Sequence, residues 1–138
     1  MSKYGRDDLE WDELVEAGTA FLVERARLGE LTTYAKLNEA LEERTGLPGF
    51  DFERPDQRAA MGHLLGLIVE RDHPETGLML SALVIYSGAN DAGSGFYALA
   101  QQLGLLRTGA SKTEKEAFWI EQTAALYALY GRAGGVER

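Results

Sequence analysis

Gly29-Glu30-Leu31-Thr32-Thr33-Tyr34-Ala35-Lys36-Leu37 is the stretch on which the fold turns. A glycine at 29 accepts the left-handed conformation that ends a helix. Leu31 and Thr32 make a short extended step. A threonine at 32 or 33 then offers a side-chain oxygen to the unpaired amides that open a second helix. The passage therefore reads as helix, extended step, helix.

Working outward, the first helix runs back from Leu28 to a cap at Asp7 or Asp8. Its apolar stripe is Leu14, Val15, Phe21, Leu22 and Leu28, at roughly the 3.6-residue helical period, with Gly18 permitting close approach and Trp11 anchoring the first turn. The second helix carries Tyr34, Leu37 and Leu41 on one face and ends at Thr45-Gly46-Leu47-Pro48-Gly49. Phe50-Asp51-Phe52 is a short strand or an aromatic plug over the core. Pro55 suits the first position of a third helix, because its missing donor has no intrahelical partner there. That helix buries Met61, Leu64, Leu65 and Ile68 and ends at His73-Pro74. Gly62 and Gly66 narrow one of its faces for a second backbone.

Leu78-Met79-Leu80-Ser81-Ala82-Leu83-Val84-Ile85-Tyr86 is apolar on both alternate faces and is expected to be a strand buried on both sides. It needs a partner for its backbone groups, and the segment around Leu31 is one candidate. Residues 87–95 form a glycine-containing connection. A short helix with Phe96, Leu99, Ala100 and Leu103 follows. Ser111-Lys112-Thr113-Glu114 then has the spacing of a capping box at the head of a last helix, which carries Phe118, Trp119, Leu126, Leu129 and Tyr130. These elements amount to an α+β fold: one mostly helical domain over residues 1–138 with a small sheet, and ends at 1–8 and 131–138 expected to fray.

The chain has 138 residues, a net charge of −8 and no cysteine. Disulfides, thiolate metal sites and cysteine nucleophiles are thereby excluded. Residues 1–60 hold 14 acids against 8 bases, and no basic block exists to meet several phosphates. No apolar run approaches the ~20 residues of a bilayer span, so no membrane partner is expected, and the expected location is cytoplasmic.

Motifs that would carry chemistry are incomplete. Gly88-Ala89-Asn90-Asp91-Ala92-Gly93-Ser94-Gly95 has the glycine frame of a phosphate-binding loop, but Ser94 stands where the lysine belongs and Gly95 where the hydroxyl belongs. A nucleophile elbow needs glycines two residues either side of Ser94, and those places hold Ala92 and Phe96. His63, Glu70 and His73 lie on one side of the third helix, yet no second Glu-x-x-His completes a metal site. Neither a cofactor nor a metal is expected.

Two resemblances bear on the reading. Thr32-Thr33-Tyr34 before a helix, with Arg58-Ala59-Ala60-Met61-Gly62 on the next, resembles the winged-helix part of DNA alkyltransferase and alkyltransferase-like proteins over the first half of the chain. The active-site Pro-Cys-His-Arg segment and its tryptophan variant are both missing, so the likeness implies wiring and not alkyl transfer. Thr33-Tyr34, Gly62-x-x-Leu65-Gly66-x-Ile68, Leu80-Ser81-Ala82-Leu83-Val84 and Gly93-x-Gly95-Phe96-Tyr97-x-Leu99-Ala100 are similar to a group of small bacterial proteins without assigned activity. That likeness implies a compact fold and no chemistry.

The leading expectation is a non-enzymatic binding module that contacts a protein partner or itself, as a homodimer, through the apolar strand or the last helix. The alternative is a winged-helix nucleic-acid binder using Lys36, Asn38, Arg54 and Arg58. A further alternative is a small enzyme with a polar pocket at the strand–loop–helix junction. Ser81, Asn90, Asp91 and Ser94 are the candidate binding residues of that pocket.

Overall fold

The computed structural model describes residues 3–86 and 92–135, with side chains described as far as residue 131. Its elements, among the described residues, are α1 (Asp8–Leu28), β1 (Thr32–Thr33), α2 (Tyr34–Thr45), α3 (Pro55–Thr76), a 3-10 segment (Leu80–Leu83), β2 (Val84–Ile85), α4 (Ser94–Gln102) and α5 (Lys112–Gly135). The fold is α+β: mostly helical, with a two-stranded parallel sheet.

The helix ends follow the sequence signals closely. Asp7 caps α1 in a reciprocal box, its Oδ1 accepting from the Glu10 amide at 2.8 Å while Glu10 Oε1 accepts from the Asp7 amide at 2.9 Å. Gly29 ends α1 at φ 67°. Thr33 caps α2, its Oγ1 accepting from the Lys36 amide. Ser111 and Glu114 form the capping box at the head of α5. The inward stripe of α1 is Trp11, Leu14, Gly18, Leu22 and Ala26. Leu28, expected on that stripe, is 61% exposed. Gly18 lies where a Cβ would come within 2.8 Å of Ile68 Cδ1, so its lack of a side chain lets α1 and α3 approach.

One sequence expectation for α3 is corrected, and one alternative before it is resolved. The helix does not stop at His73-Pro74 but runs to Thr76, with Gly77 as its left-handed cap. Pro74 removes one donor, and it does so in the last turn, where Thr76 Oγ1 meets the Asp72 carbonyl at 3.2 Å and accepts from the Leu78 amide at 3.0 Å. Phe50-Asp51-Phe52 is the plug rather than the strand: Phe50 is 5% exposed, and Asn38 clamps its backbone from both sides. At the amino end, expected to fray, Lys3 and Arg6 pair in a tight turn. The Trp11 indole donates to the Lys3 carbonyl, and Arg6 donates to the Pro48 carbonyl with its guanidinium over the Phe50 ring.

The largest correction concerns residues 78–86. The expected nine-residue strand is a 3-10 turn at Leu80–Leu83 followed by a strand of two residues. β2 pairs in parallel with β1, Thr32 opposite Val84 and Thr33 opposite Ile85. The partner expected near Leu31 is therefore the right one, but only for two residues. A short apolar run does not reveal by its period whether it is strand or buried helix. Here α5 decides the matter. Gln122 Oε1 accepts from the Met79 amide at 2.8 Å, and Trp119 Nε1 donates to the Ala82 carbonyl at 2.8 Å. Those side chains satisfy backbone groups that a sheet neighbour would otherwise have to satisfy.

The 3-10 segment is the centre of the molecule. Leu80, Ala82, Leu83 and Val84 are fully buried, and α1, α3 and α5 all contact the segment. Phe118, Trp119 and Leu126 of α5 are also covered within the chain. Of the apolar residues on which self-association was expected, these are covered within the chain, whereas Tyr86 and Leu129 are 58% and 39% exposed. No helix among the described residues is long and apolar enough to cross a membrane.

Candidate functional site

The open apolar feature that remains is a groove framed by the start of α2, the middle of α3, the 3-10 segment and the start of α4. It has two compartments. The inner one, about 210 Å³, is walled by Leu65, Phe96 and Leu99 and reaches Ser81. The outer one, about 380 Å³, is walled by Phe52, Met61 and Tyr86, with Arg58 at its edge. Tyr34, Gly62 and Gly95 line both.

The floor of the groove is glycine. Gly62 and Gly66 stand one turn apart inside α3, and Gly95 stands in the first turn of α4. None has a positive φ, so no backbone conformation demands glycine at these three positions. Beyond its own helix, a Cβ at any of them would meet nothing within 4 Å. The expectation that Gly62 and Gly66 admit a second backbone is therefore corrected: what they leave is open space. Glycine inside a helix costs up to about 1 kcal/mol relative to alanine. That cost is set here against no packing or conformational return.

The aromatic walls support one another. Tyr34 lies 4.9 Å from Tyr86 between ring centroids and 6.5 Å from Phe52, edge to face. Tyr86 is 58% exposed, so the apolar surface continues from the groove onto the outside of the molecule. Burial, reinforced by the neighbouring Tyr86 phenol, pushes the Tyr34 pKa up to about 12. Tyr34 is consequently a neutral hydroxyl throughout the ordinary pH range.

The groove is also distinguished by charge. Among the described residues no aspartate or glutamate lines either compartment, and Arg58 is the one charged lining residue. Other concavities are acidic or mixed: one is lined by Glu30, Glu39 and Glu43, another by Asp12, Glu16 and Glu70, a third by Glu10 and Asp51. In a chain of net charge −8, the described lining of the groove carries no negative side chain.

Of the residues singled out in the sequence, the fold brings Ser81 and Arg58 to this groove. Ser81 is 4% exposed, and its Oγ is buried with no hydrogen-bond partner. Arg58 donates to the Phe52 carbonyl at 2.6 Å and holds the plug beside the outer compartment. Ser94 is exposed as the first residue of α4, adjacent to Gly95 but outside the lining of both compartments. Asn90 and Asp91 lie outside the described residues.

The other proposed nucleic-acid contacts are engaged elsewhere. Asn38 gives both ends of its amide to the Phe50 backbone, at 3.0 and 2.8 Å. Arg54 is paired with Asp56 through two bonds. Lys36 is exposed over the concavity that holds Glu39 and Glu43.

His63 and His73 do not converge on a site. His63 packs edge-on against Trp11, 4.8 Å between centroids, and its pKa is lowered by burial, then by Lys3, against the opposing pull of Glu70. His73 sits in the last turn of α3 with Nε2 buried and unpaired. No group of three histidines or carboxylates placed to hold a metal occurs among the described residues.

Sequence reasoning missed most of the groove. The spacing of Gly62 and Gly66 was visible, but whether helical glycines meet a neighbour or open space depends on what packs opposite them. Comparison with protein-family models, curated proteins and solved structures finds no match.

Proposed function

We propose that this protein is a non-enzymatic binding module that receives an apolar segment of a protein partner in the groove between α2, α3 and α4. The observation that carries this reading is the set of three groove glycines, Gly62, Gly66 and Gly95, which serve no conformation and touch no neighbour beyond their own helix. They keep space open, and the space is walled by aromatic and aliphatic side chains. A concave, mostly apolar site with a few polar groups is the general form of a binding pocket. Tyr86, exposed at the mouth, extends that surface outward in the manner of an aromatic anchor at a protein interface.

The lining supports binding rather than catalysis. Among the described residues Ser81 is the one serine lining the groove, and neither a histidine nor a carboxylate lines either compartment to activate it. A partner in this groove would cover apolar surface that the protein's own chain leaves uncovered, and the 3-10 segment would remain the rigid wall behind it.

The test is to fill the groove from its floor. A random peptide library panned on the wild-type protein is expected to yield apolar sequences. Binding of those peptides should fall at least tenfold on Gly62→Leu or Gly66→Leu proteins that retain the wild-type melting behaviour. Enrichment indifferent to both substitutions, or no enrichment at all, would remove the proposal.

A further inference from the structure

The geometry points to a free carboxylate as the group read by the inner compartment: the partner segment is the C-terminal end of a chain, with an apolar last residue. This inference rests on the groove being a binding site and names what it selects.

Three features bear on the ligand: an unpaired hydroxyl that can donate to it, a helix start that favours negative charge, and a lining without acids among the described residues. The first is Ser81, whose Oγ is buried without a partner in a residue 4% exposed that lines the inner compartment. A buried hydroxyl left unpaired is unfavourable, and a ligand acceptor in the compartment relieves it. The second is the start of α4. Gly93 stands at its cap with no side chain to bond the first amides, and its first turn holds no acid. The Phe96 amide bonds the Gly93 carbonyl at 3.1 Å, and the amides of Ser94 and Gly95 precede the first intrahelical bond, at the positive end of the helix dipole. Gly95 and Phe96, both in that first turn, line the same compartment as Ser81. The starts of α1, α2 and α5 are closed by Asp7, Thr33 and Ser111, while α3, like α4, begins without a side-chain cap. The third is the lining itself: among the described residues it holds no acid, with Arg58 at the outer edge, in a protein of charge −8.

The apolar walls fix what the carboxylate is attached to. The inner compartment, about 210 Å³, holds a single apolar side chain against Leu65, Phe96 and Leu99. The outer, about 380 Å³, takes the preceding residue or two against Phe52 and Tyr86. A chain end supplies the acid, the terminal side chain and the upstream residues in that order. Capture of a C-terminal carboxylate by backbone amides is a known mode of peptide recognition. A small free acid would fill the inner compartment alone and leave the exposed Tyr86 uncovered.

The experiment is a calorimetric titration of the full chain with N-acetylated tetrapeptides ending in Leu, Ile, Val, Met, Phe, Tyr or Trp. Each is prepared as the free acid and as the C-terminal amide, with 3-phenylpropionate as the small-acid probe. At least one acid is expected to bind ten or more times tighter than its amide and than 3-phenylpropionate. Ser81→Ala should reduce that acid-to-amide ratio several-fold, because the charged acceptor loses more than the neutral amide carbonyl when the hydroxyl donor is removed, whereas a merely structural serine would weaken both alike. Gly95→Asp puts a charge where helix starts favour one, so folding is preserved, and it should weaken the acid at least tenfold.

Acid and amide binding equally would overturn the carboxylate and leave the groove reading standing. Phenylpropionate matching the best peptide would overturn the chain end in favour of a small acid. No binding by any member of the panel would overturn the carboxylate, and with the loss of every display-selected peptide as well, the groove reading would fall too.

Discussion

Asn38 is polar, sits on α2 and looks in sequence like a side chain that could reach a base. Its amide instead donates to and accepts from the backbone of Phe50, pinning the plug against the core. The residue's chemistry was readable, but its partner was not, because the partner lies twelve positions away across a turn. The tyrosines carry a pH dependence that can be worked out residue by residue. Burial and then Tyr86 raise Tyr34 to about 12; burial and then a 2.9 Å bond to Asp72 raise Tyr130 to about 12. Both shifts favour the protonated phenol in the folded state. Their contribution to stability is therefore fully present below the ordinary tyrosine value of 10 and is lost as pH rises from 10 towards 12. Urea midpoints are expected to hold level between pH 8 and about pH 9.5 and then to fall as these phenols ionise. Tyr130→Phe should be weaker at pH 8, having lost the Asp72 bond, and should show a shallower alkaline decline. A midpoint that does not move up to pH 11.5 would contradict the assignment.

At the scale of elements, α3 trades intrinsic helix stability for an open groove. Gly62 and Gly66 lie in its interior where alanine would propagate the helix better and strike nothing. Gly62→Ala with Gly66→Ala is expected to stabilise the protein by about 1–2 kcal/mol, from the helix propensity of the two sites, and to weaken binding of any groove ligand. Thermal and denaturant melts beside a peptide titration check both signs at once. If the double substitution destabilised the fold, the glycines would have to be packing residues after all. Gly18 makes the contrasting case: Ile68 Cδ1 lies 2.8 Å from the place of its Cβ, so there glycine does let two helices approach. Both kinds of glycine look alike in a sequence.

The whole molecule is acidic, yet the charge is not evenly spread over its hollows. The groove without acids and the concavities lined by glutamates belong to one surface of net charge −8. Phosphate contacts need clustered cations that release counterions, and they leave a steep salt dependence. Here Arg54 is bound to Asp56, Arg44 to Glu24, Arg25 to Glu30 and Arg107 to Glu114. Gel-shift assays with duplex DNA are accordingly expected to show no retardation even at about 50 mM salt, where phosphate contacts act most strongly. A shifted band that weakens steeply with salt would revive the nucleic-acid alternative.

Local chemistry in the sequence was enough to determine the capped helix ends, the turn at Gly29 and the Ser111–Glu114 box. Each of these is settled by residues three or four positions apart, so the neighbours in sequence are the partners in space. The state of residues 78–86 was not settled in that way. An apolar run with both faces buried is compatible with strand or helix, and the choice fell to Trp119 and Gln122, roughly forty positions downstream, which satisfy its backbone. The groove was decided in the same manner. Gly62, Gly66 and Gly95 leave a hollow because no described residue is placed opposite them, and Ser81, from the 3-10 segment, lines it with its hydroxyl unpaired. Caps are local bonds and can be read in order along a chain; a cavity is defined by what distant segments fail to fill.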